Sequence, residues 1–344
     1  MKAAVFKDPD QLMAIEAVDN PKPGPGQLLL KVNACGVCGS DLHAAAVREA
    51  AGGMRPLPSN VILGHEFAGE IVEIGAGVEG WSVGQRVTSL PGQGCGACLA
   101  CLSGQGHRCV QKNSAELGSS QGAYAEQVVV GAFETMSLPD TVDDGQGALV
   151  EPMAVGLHAV KAAYLQTGDS VLVVGAGPIG LAVAMWSKFF GAAHVAISDL
   201  SDARLSVAQR LGIDHTINAK SDPVVAAYKS KAGGRPAVVF DCVGVPGSQQ
   251  LCMDYAPMLG RIVVVGVCMH DDTIQPTKAI TKELSVRYVY CYERADFQFT
   301  IDMMAAGRIN PSAMISARVG FDEFPDLFAE MMRPTDHCKV LLKP

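Results

Sequence analysis

The sequence predicts an α/β protein with two regions: a mostly antiparallel β domain, then a doubly wound parallel sheet covered by helices on both faces. Three observations lead to this prediction. The chain has 344 residues, which is long enough for two domains that each bury a core. Its first part contains short β-branched runs bounded by glycine and proline. After about residue 152, apolar strands alternate with helical segments, as is typical of a parallel sheet.

We predict three segments, 1–151, 152–292 and 293–344. The first is expected to hold the strands Leu28–Val32, Phe67–Ile74, Arg86–Leu90 and Ala125–Val130. The second is expected to alternate the strands Ser170–Val174, Val195–Ser198, Val238–Phe240 and Ile262–Val267 with the helices Pro178–Phe190 and Ala203–Leu211. The pattern of the third fits either domain, and we assign it as a return to the first; its expected elements are the helices Thr300–Ala306 and Phe324–Met332 and the strand Lys339–Leu342.

Composition excludes several classes of protein. Apolar residues make up 49% of the chain and charged residues 18%, which is not the composition of a disordered protein. The net charge of −8, without a basic stripe, argues against binding to nucleic acid or to an anionic membrane. The N-terminal stretch is too short and too acidic for a secretory signal, and no apolar run approaches the length of a membrane helix. We therefore expect a cytoplasmic protein.

Four of the eleven cysteines lie in one glycine-rich window with the spacing C-x2-C-x2-C-x7-C: Cys95, Cys98, Cys101 and Cys109. Clustered cysteines in a reducing compartment indicate a metal site rather than disulfides. Four thiolates can close a tetrahedral shell around zinc with no position left for water, so such a site is structural. An iron–sulfur cluster is the alternative metal, because closely spaced cysteines serve both.

A dinucleotide-binding fingerprint follows the predicted strand that ends at Val174. In Gly175-Ala-Gly177-Pro178-Ile179-Gly180 the glycines allow a tight turn, close approach of a pyrophosphate and close packing of helix on strand. Asp199 follows 19 residues later, where its carboxylate could accept hydrogen bonds from the ribose of NAD and repel the 2′-phosphate of NADP. Arg204 could offset that repulsion. The alternative for Asp199 is a helix N-cap; we predict NAD as the cofactor.

A second metal site is indicated by the segments Gly36–His43, Gly64–Glu66 and Glu151-Pro152. Cys38, His65 and a carboxylate would supply three ligands and leave the fourth position open, as catalytic zinc requires. Two other interpretations remain open on the residues alone: Cys35 and Cys38 as a redox pair, and His65 as a hydrogen-bonded core histidine.

These segments together resemble the zinc-containing medium-chain dehydrogenase/reductase superfamily, in particular the branch of sorbitol, L-threonine and 2,3-butanediol dehydrogenases. The resemblance covers nearly the whole chain. It is carried by GVCGSDLH at 36–43, GHEFAGEIVEIG at 64–75, the cysteine window, LVEPMAVGLHAV at 149–160, the fingerprint and GRIVVVGV at 260–267, which ends at Val267. One departure is Gly-Gln-Arg-Val at 84–87, where members usually have Gly-Asp-Arg-Val; it affects no expected ligand.

The resemblance implies a GroES-like catalytic domain, a Rossmann NAD-binding domain and two zinc ions per chain. It implies Cys38, His65 and Glu151 as catalytic-zinc ligands, with Glu66 either a fourth ligand or a partner of one, and Asp41 orienting His65. Val267 is expected at the cofactor site. Relatives are commonly dimers or tetramers built by pairing of nucleotide-sheet edges, so a homodimer or homotetramer is expected.

The implied reaction is hydride transfer between a secondary alcohol or polyol and NAD, yielding the ketone. Zinc would lower the pKa of the bound alcohol, and Ser40 and His43 match the proton relay of the family. The segment from Ala44 to Asn60 is mostly small and apolar and is expected to line the substrate pocket. Two rival functions remain open: a zinc enzyme directed at aldehydes, and a non-catalytic cofactor-binding relative.

Overall fold

The computed structural model of the chain describes residues 1–50, 55–114 and 121–344. Their contacts divide into two compact units. Unit 1 comprises Met1–Ala50, 55–151 and Glu293–Pro344, and unit 2 comprises Pro152–Tyr292. The chain therefore leaves unit 1 once and returns to it for its last segment. In the part of the chain that the structure describes, none of the helices has both the length and the apolar character needed to cross a bilayer.

Unit 1 is built on a seven-stranded sheet that is antiparallel except for one pair. Eleven strands of the described residues belong to this unit. Nine precede unit 2: β1 (Lys2–Phe6), β2 (Met13–Ala17), β3 (Gln27–Gly36), β4 (Glu66–Ile74), β5 (Arg86–Ser89), β6 (Gly92–Gln93), β7 (Asn113–Ser114), β8 (Gln127–Gly131) and β9 (Thr135–Ser137). Two follow it, β16 (Ile315–Val319) and β17 (Lys339–Leu342). The sheet order is β16-β17-β3-β4-β5-β9, and β8 also pairs with β3. β1 pairs with β2, and β6 with β7. Among the described strand pairs of this unit, only β16 and β17 run parallel.

Unit 2 is a six-stranded parallel sheet in the order β12-β11-β10-β13-β14-β15. Its strands are β10 (Ser170–Val174), β11 (His194–Asp199), β12 (His215–Asn218), β13 (Val238–Asp241), β14 (Arg261–Val264) and β15 (Ser285–Tyr288). The strand order reverses direction on either side of β10, and such a switch point creates a crevice beyond the carboxyl ends of the strands. This is the Rossmann-like parallel sheet that the sequence predicts.

The helices of unit 1 are α1 (Gly39–Ala46), α2 (Leu99–Leu102), α3 (Asp144–Ala148), α10 (Arg294–Ala305) and α11 (Phe324–Met331). The helix α4 (Val150–Ala162) begins in unit 1 and continues into unit 2. The helices of unit 2 are α5 (Pro178–Phe189), α6 (Asp202–Arg210), α7 (Val224–Ala232), α8 (Ser248–Tyr255) and α9 (Pro276–Thr281). Each unit buries its own apolar core: β-branched and aromatic side chains of β1, β3 and β4 pack with Phe324 and Phe328 in unit 1, and Leu172, Val239 and Ile262 lie at the centre of one core of unit 2.

The predicted strand Ile262–Val267 is shorter than expected. β14 ends at Val264 because the backbone amides of Val265 and Gly266 both turn to the carbonyl of Asp241, at 2.9 Å each. The apolar run continues, but its hydrogen bonds no longer follow the ladder. Val267 consequently lies beyond the strand and is 60% exposed.

The lining of a substrate pocket by residues 44–60 stays a prediction. Ala44, Ala45 and Ala46 form the last turn of α1, and Ala44 and Ala45 are buried. Residues 51–54 of that stretch lie outside the described residues. The small side chains at 44 and 45 are thus explained by helix packing.

Candidate metal centres and nucleotide site

The four cysteines of the glycine-rich window converge on one point. Their sulfur atoms all lie within 4.8 Å of one another, with Cys98 Sγ 3.5 Å from Cys101 Sγ and Cys95 Sγ 4.0 Å from it. Ligands of a tetrahedral zinc, with Zn–S bonds of about 2.3 Å, lie about 3.8 Å apart. The observed spacings therefore suit a single ion, whereas the ligands of an iron–sulfur cluster bind separate iron atoms. The arrangement disfavours the cluster.

The window folds tightly because backbone groups point at the sulfurs. The amide of Cys95 donates to Cys109 Sγ at 3.4 Å. Hydrogen bonds from the amides of Ala97 and Cys98 lower the pKa of the Cys95 thiol to about 6, so that this thiol is largely a thiolate at neutral pH. Glu134 also reaches the window, since its Oε1 accepts a hydrogen bond from the amide of Gly94 at 3.2 Å. The donor set fits a closed structural zinc site.

The second metal site joins the start of α1 to the start of β4. Ligand atoms of Cys38, His65 and Glu66 lie within 4.8 Å of one another, and both His65 and Glu66 are buried. Sulfur, imidazole nitrogen and carboxylate oxygen are the donors of catalytic zinc. The three side chains fit a zinc ion, and this grouping favours the metal site over the two alternatives left open by the sequence. Cys35 is a buried free thiol whose Sγ contacts the Gly36 carbonyl, and it forms no disulfide with Cys38.

Asp41 lies behind His65 as the resemblance implies. Its Oδ1 is 3.2 Å from His65 Nδ1, an ion-pair distance rather than an aligned hydrogen bond. Its Oδ2 accepts from the backbone amide of Cys38 at 3.1 Å. Burial alone would lower the pKa of His65, but the charges of Asp41 and Cys38 outweigh it and raise that pKa well above its usual range. The Asp41 carboxylate thus contacts both candidate ligands, the imidazole of His65 and the backbone amide of Cys38.

Glu66 is held by a residue that the sequence analysis missed. Lys339, on β17, is 1% exposed and donates hydrogen bonds to both Glu66 carboxylate oxygens, at 2.7 and 2.6 Å, and to the carbonyl of Val37 at 2.9 Å. Burial would lower the pKa of Lys339, but the carboxylate of Glu66 outweighs it and raises that pKa above its usual value. A lysine opening an otherwise apolar strand was the signal available in the sequence.

Glu151 lies outside the group of three ligand atoms that meet within 4.8 Å. It is the second residue of α4 and is 5% exposed, and its charge contributes to the raised pKa of Lys339. The charges of Glu66 and Glu151 therefore both act on the Lys339 ammonium group. Of these two carboxylates, Glu66 is the one whose oxygen lies with the ligand atoms of Cys38 and His65.

Ser40 and His43 lie on one exposed face of α1, three residues apart. Residues at this spacing are neighbours on a helix surface. Cys38 is the N-cap of the same helix, so the helix carries a candidate ligand at its start and the two candidate relay residues behind it. Ser40 and His43 follow Cys38 by two and five residues, and because the segment is helical they lie close together on one side of α1.

The fingerprint adopts the expected strand–turn–helix geometry. Gly175 follows β10 with φ of +100°, and a Cβ on Gly180 would lie 1.8 Å from the Gly175 carbonyl oxygen. α5 then begins at Pro178 with Gly177 as its N-cap, and Ile179 follows in its first turn, so that free N–H groups lie at the turn. The turn itself therefore requires glycine at 175 and 180, whereas a Cβ on Gly177 would lie in open space.

Asp199 is the last residue of β11 and is not a helix N-cap. Its Oδ2 accepts from the amide of Ala176 at 2.7 Å, and its Oδ1 accepts from the amide of Ser201 at 2.9 Å. The N-cap of α6 is Ser201, whose side chain accepts from the Arg204 amide. Among the described residues, the buried Nε of Arg204 has no hydrogen-bond partner. Asp199 thus lies against the fingerprint turn. The guanidinium group of Arg204, on the following helix α6, has a donor available for a ligand.

Unit 2 carries a further buried carboxylate at the same edge of the sheet. Asp241, the last residue of β13, is 1% exposed and accepts from Ser248 Oγ at 2.8 Å and from the Val243 amide at 3.1 Å. It ties the turn after β13 to the first turn of α8 beside the fingerprint. The sequence analysis did not single it out; its position at the end of a parallel strand was the available signal.

Comparison with known proteins agrees with both units. Residues 24–140 match the family model "Alcohol dehydrogenase GroES-like domain", and residues 178–306 match "Zinc-binding dehydrogenase". The chain is 32% identical to (R,R)-butanediol dehydrogenase of Bacillus subtilis (strain 168), with 100% of both chains covered. It is 31% identical to L-threonine 3-dehydrogenase of Chelativorans sp. (strain BNC1), covering 99% of this chain and 98% of that protein.

Solved structures show the same fold. One, described as a zinc-binding dehydrogenase from Sinorhizobium meliloti 1021 and bound to NADP, matches with a TM-score of 0.88 at 30% identity, over 100% of this chain and 99% of that one. Another, described as a short chain alcohol dehydrogenase from Escherichia coli CFT073 and complexed with NADH, matches with a TM-score of 0.89 at 28% identity, with the same coverage. The chain therefore belongs to the zinc-binding alcohol dehydrogenases of the medium-chain dehydrogenase/reductase superfamily, in the branch of the butanediol and L-threonine dehydrogenases, and is an NAD(P)-dependent oxidoreductase.

Proposed function

We propose that this protein transfers hydride between a secondary alcohol or polyol and NAD, with catalytic zinc held by Cys38, His65 and a carboxylate. The observation that carries this proposal is the meeting of Cys38, His65 and Glu66 within 4.8 Å. Three protein donors leave one position of a tetrahedral zinc for a substrate oxygen. Both relatives named above act on substrates with secondary hydroxyl groups, which supports the substrate class.

Unit 1 serves as the catalytic zinc-binding domain and unit 2 as the NAD-binding domain, with residues 293–344 returning to the catalytic domain. The division of contacts at Glu151 and Glu293 supports these bounds. Cys95, Cys98, Cys101 and Cys109 hold the structural zinc, which makes two zinc ions per chain.

Zinc at the catalytic site supplies Lewis acidity, which lowers the pKa of a bound hydroxyl toward neutrality. The chain supplies the rest of the chemistry. Asp41 orients His65 and the Cys38 turn, while Ser40 hydrogen-bonds the substrate hydroxyl and His43 carries its proton toward solvent. The exposure of Ser40 and His43 on one face of α1 supports this relay, because an outlet for the proton must reach water. Of the two carboxylates we assign Glu66 as the ligand and Glu151 as its neighbour, on the grouping of the ligand atoms.

NAD is held at the carboxyl edge of the unit 2 sheet. Gly175, Gly177, Pro178, Ile179 and Gly180 form the pyrophosphate turn, and Val267 lies exposed beyond β14 at the same edge. Asp199 accepts the ribose hydroxyls, and its negative charge disfavours a 2′-phosphate. The free Nε of Arg204 is the one feature that favours NADP.

The protein acts as a homodimer or homotetramer in the cytoplasm, on a small-molecule alcohol or ketone. The cysteines support the compartment, because they form no disulfides in the structure and five of them are proposed zinc ligands, as a reducing environment allows. The exposed side chains of β15, which is an edge strand, suit pairing with a second copy.

The test combines a metal assay with a substrate panel. We expect two zinc ions per chain, and NADH formation with 2,3-butanediol, L-threonine or sorbitol in preference to primary alcohols. Cys38→Ser should remove one zinc and lower activity by at least about a hundredfold, beyond the range reached by changes around a ligand. Cys291→Ser, at a half-buried cysteine that belongs to neither group of candidate metal ligands, is the matched control.

Activity that survives Cys38→Ser would contradict the zinc mechanism. A preference for primary alcohols or aldehydes would replace the proposed substrate class, and NADP turnover above NAD turnover would contradict the cofactor. Absence of turnover with every substrate, at full zinc occupancy and with NAD bound, would favour a non-catalytic relative.

A further inference from the structure

Tyr124 is a buried tyrosine whose hydroxyl points at the carboxylate behind the metal site. It lies just before β8 and is 0% exposed. Its hydroxyl donates to Asp41 Oδ2 at 2.5 Å and lies 3.3 Å from the carbonyl oxygen of Gly36. The other oxygen of the same carboxylate lies 3.2 Å from His65 Nδ1. Tyr124 is therefore one hydrogen bond away from the group that orients a candidate zinc ligand.

We propose that Tyr124 is a positioning residue of the catalytic metal site, which acts by fixing the Asp41 carboxylate against His65 and the Cys38 turn. This inference rests on the proposed function, since it takes Cys38 and His65 as zinc ligands. The chain of contacts runs from the Tyr124 hydroxyl through Asp41 to the backbone amide of Cys38 on one side and the imidazole of His65 on the other.

The backbone around Tyr124 reaches the same segments as its side chain. The Tyr124 amide donates to the carbonyl of Leu63 at 2.9 Å, and the Ala123 amide donates to the carbonyl of Gly64 at 2.8 Å. The two residues before His65 thus accept hydrogen bonds from the amides of residues 123 and 124, while the Tyr124 hydroxyl reaches Asp41 on α1. One residue connects the two segments that carry the candidate ligands.

Gly64 shows how closely the ring is fitted. This glycine has φ of +96°, and a Cβ there would lie 2.6 Å from Tyr124 Cδ1 and 2.9 Å from Cys35 Sγ. The other side of the ring packs on Phe324, with centroids 4.9 Å apart. The hydroxyl therefore has little freedom to leave Asp41, which is what a positioning role requires.

The hydroxyl keeps its proton, so it can only donate to the Asp41 carboxylate. Burial, with Asp41 adding to it, raises the pKa of Tyr124 well above its usual value. Asp41 Oδ2 also accepts a hydrogen bond from the Cys38 amide at 3.1 Å, while its Oδ1 lies 3.2 Å from His65 Nδ1. A carboxylate with contacts at both oxygens is held in one orientation.

Tyr124→Phe tests the inference because it removes the hydroxyl and leaves the ring between Gly64 and Phe324. Zinc release is followed with a chromogenic chelator, and the four-cysteine zinc serves as the internal reference in the same protein. Cys38→Ser, which we expect to retain only the four-cysteine zinc, identifies the release phase of that zinc. We expect the other zinc to leave about tenfold faster from Tyr124→Phe, the lower end of the effect of removing a group around a ligand, with the reference phase unchanged.

Two further variants separate positioning from general loosening. Tyr228→Phe removes a buried hydroxyl in the core of unit 2 and should leave both release phases unchanged. Asp41→Asn should speed the release of the catalytic zinc, and adding Tyr124→Phe to it should bring little more, since residues that act through one another are not additive.

The inference is overturned if Tyr124→Phe releases both zinc ions as the unmodified protein does, if it speeds both phases equally, or if its effect adds fully to that of Asp41→Asn. These outcomes differ from failure of the proposed function. If Cys38→Ser keeps both zinc ions, the proposed metal site is wrong and the inference fails with it. If Cys38→Ser loses one zinc and Tyr124→Phe behaves as the unmodified protein, only the inference fails.

Discussion

Lys339 and Glu66 form a buried ion pair across 273 residues of sequence, with the lysine Nζ 2.7 and 2.6 Å from the two carboxylate oxygens. The lysine comes from β17, and the glutamate begins β4, whose next residue pairs with Cys35 of β3. Such a pair contributes little compared with apolar residues of the same volume, but breaking it leaves one charge buried alone. The pair therefore makes the metal site depend on the C-terminal strand.

Lys339→Met should lower the free energy of unfolding by about 3–5 kcal/mol, because Glu66 is then buried without its cation. Combining it with Glu66→Gln should recover much of that loss. Urea denaturation in a Cys38→Ser background, which is expected to lack the catalytic zinc that would otherwise offset the Glu66 charge, measures both. Lys343→Met, at an exposed lysine of the same segment, should change stability by no more than about 0.5 kcal/mol. Equal losses at the two lysines would show that the pair has no special role.

His43→Gln should lower kcat by about 10²-fold or more while leaving zinc content and the KM for NAD nearly unchanged, because general acid–base groups contribute on that scale. Ser40→Ala should act in the same direction, and the double variant should lose little more than the larger single loss. Steady-state kinetics provides the measurement, with His194→Gln in unit 2 as the control. Full kcat in His43→Gln would exclude the relay.

Asp199→Asn should shift the ratio of kcat/KM for NADP over that for NAD by about tenfold or more toward NADP. The change removes the charge that opposes the 2′-phosphate and leaves Arg204 in place, while an amide oxygen can still accept one of the two backbone hydrogen bonds. Asp202→Asn removes an exposed charge from the first turn of α6 and should leave the ratio unchanged. An unchanged ratio in Asp199→Asn would mean that this carboxylate does not select the cofactor.

The buried carboxyl group of Glu134 predicts how the stability of the protein depends on pH. Burial raises the pKa of Glu134 above its usual value, despite the hydrogen bond from the Gly94 amide and the nearby Arg294. A carboxyl group whose pKa is higher in the folded state favours folding when protonated, so its contribution is largest below the unfolded pKa and is lost as pH rises through the folded pKa. Glu134→Gln keeps an acceptor for Gly94 and removes the buried charge. Its melting temperature should equal or exceed that of the unmodified protein at pH 7, and this advantage should shrink below about pH 4.5.

Melting curves of both proteins between pH 4 and 8 test this expectation. An advantage of Glu134→Gln that grows as the pH falls would have the wrong sign. Glu126→Gln, which alters an exposed-site carboxylate that accepts from the Lys2 amide, provides the comparison.

The parts of the site that could be predicted from sequence are those encoded in short spacings. Cys95 to Cys109 and Gly175 to Gly180 each define their geometry within a few residues, and the structure shows both as expected. Ser40 and His43 become neighbours through one helix. Lys339 and Tyr124 could not be predicted, because their roles arise from strand pairing over long sequence distances and because an isolated buried lysine or tyrosine has no distinguishing spacing. The early end of β14 could not be predicted for a related reason. The amides of Val265 and Gly266 donate to the Asp241 carbonyl, whereas the apolar run alone predicts that the strand continues.

The return of the chain to unit 1 also has a consequence for biosynthesis. Both metal-ligand segments are synthesised early, yet β17, which pairs with β3 and carries Lys339, emerges only after all of unit 2 has been made. Because domains fold as units and the N-terminal part of a chain leaves the ribosome first, unit 2 can complete its sheet while unit 1 still lacks β16 and β17. During translation the nucleotide domain should therefore mature before the domain that precedes it, and Glu66 gains the Lys339 cation only once β17 has been made.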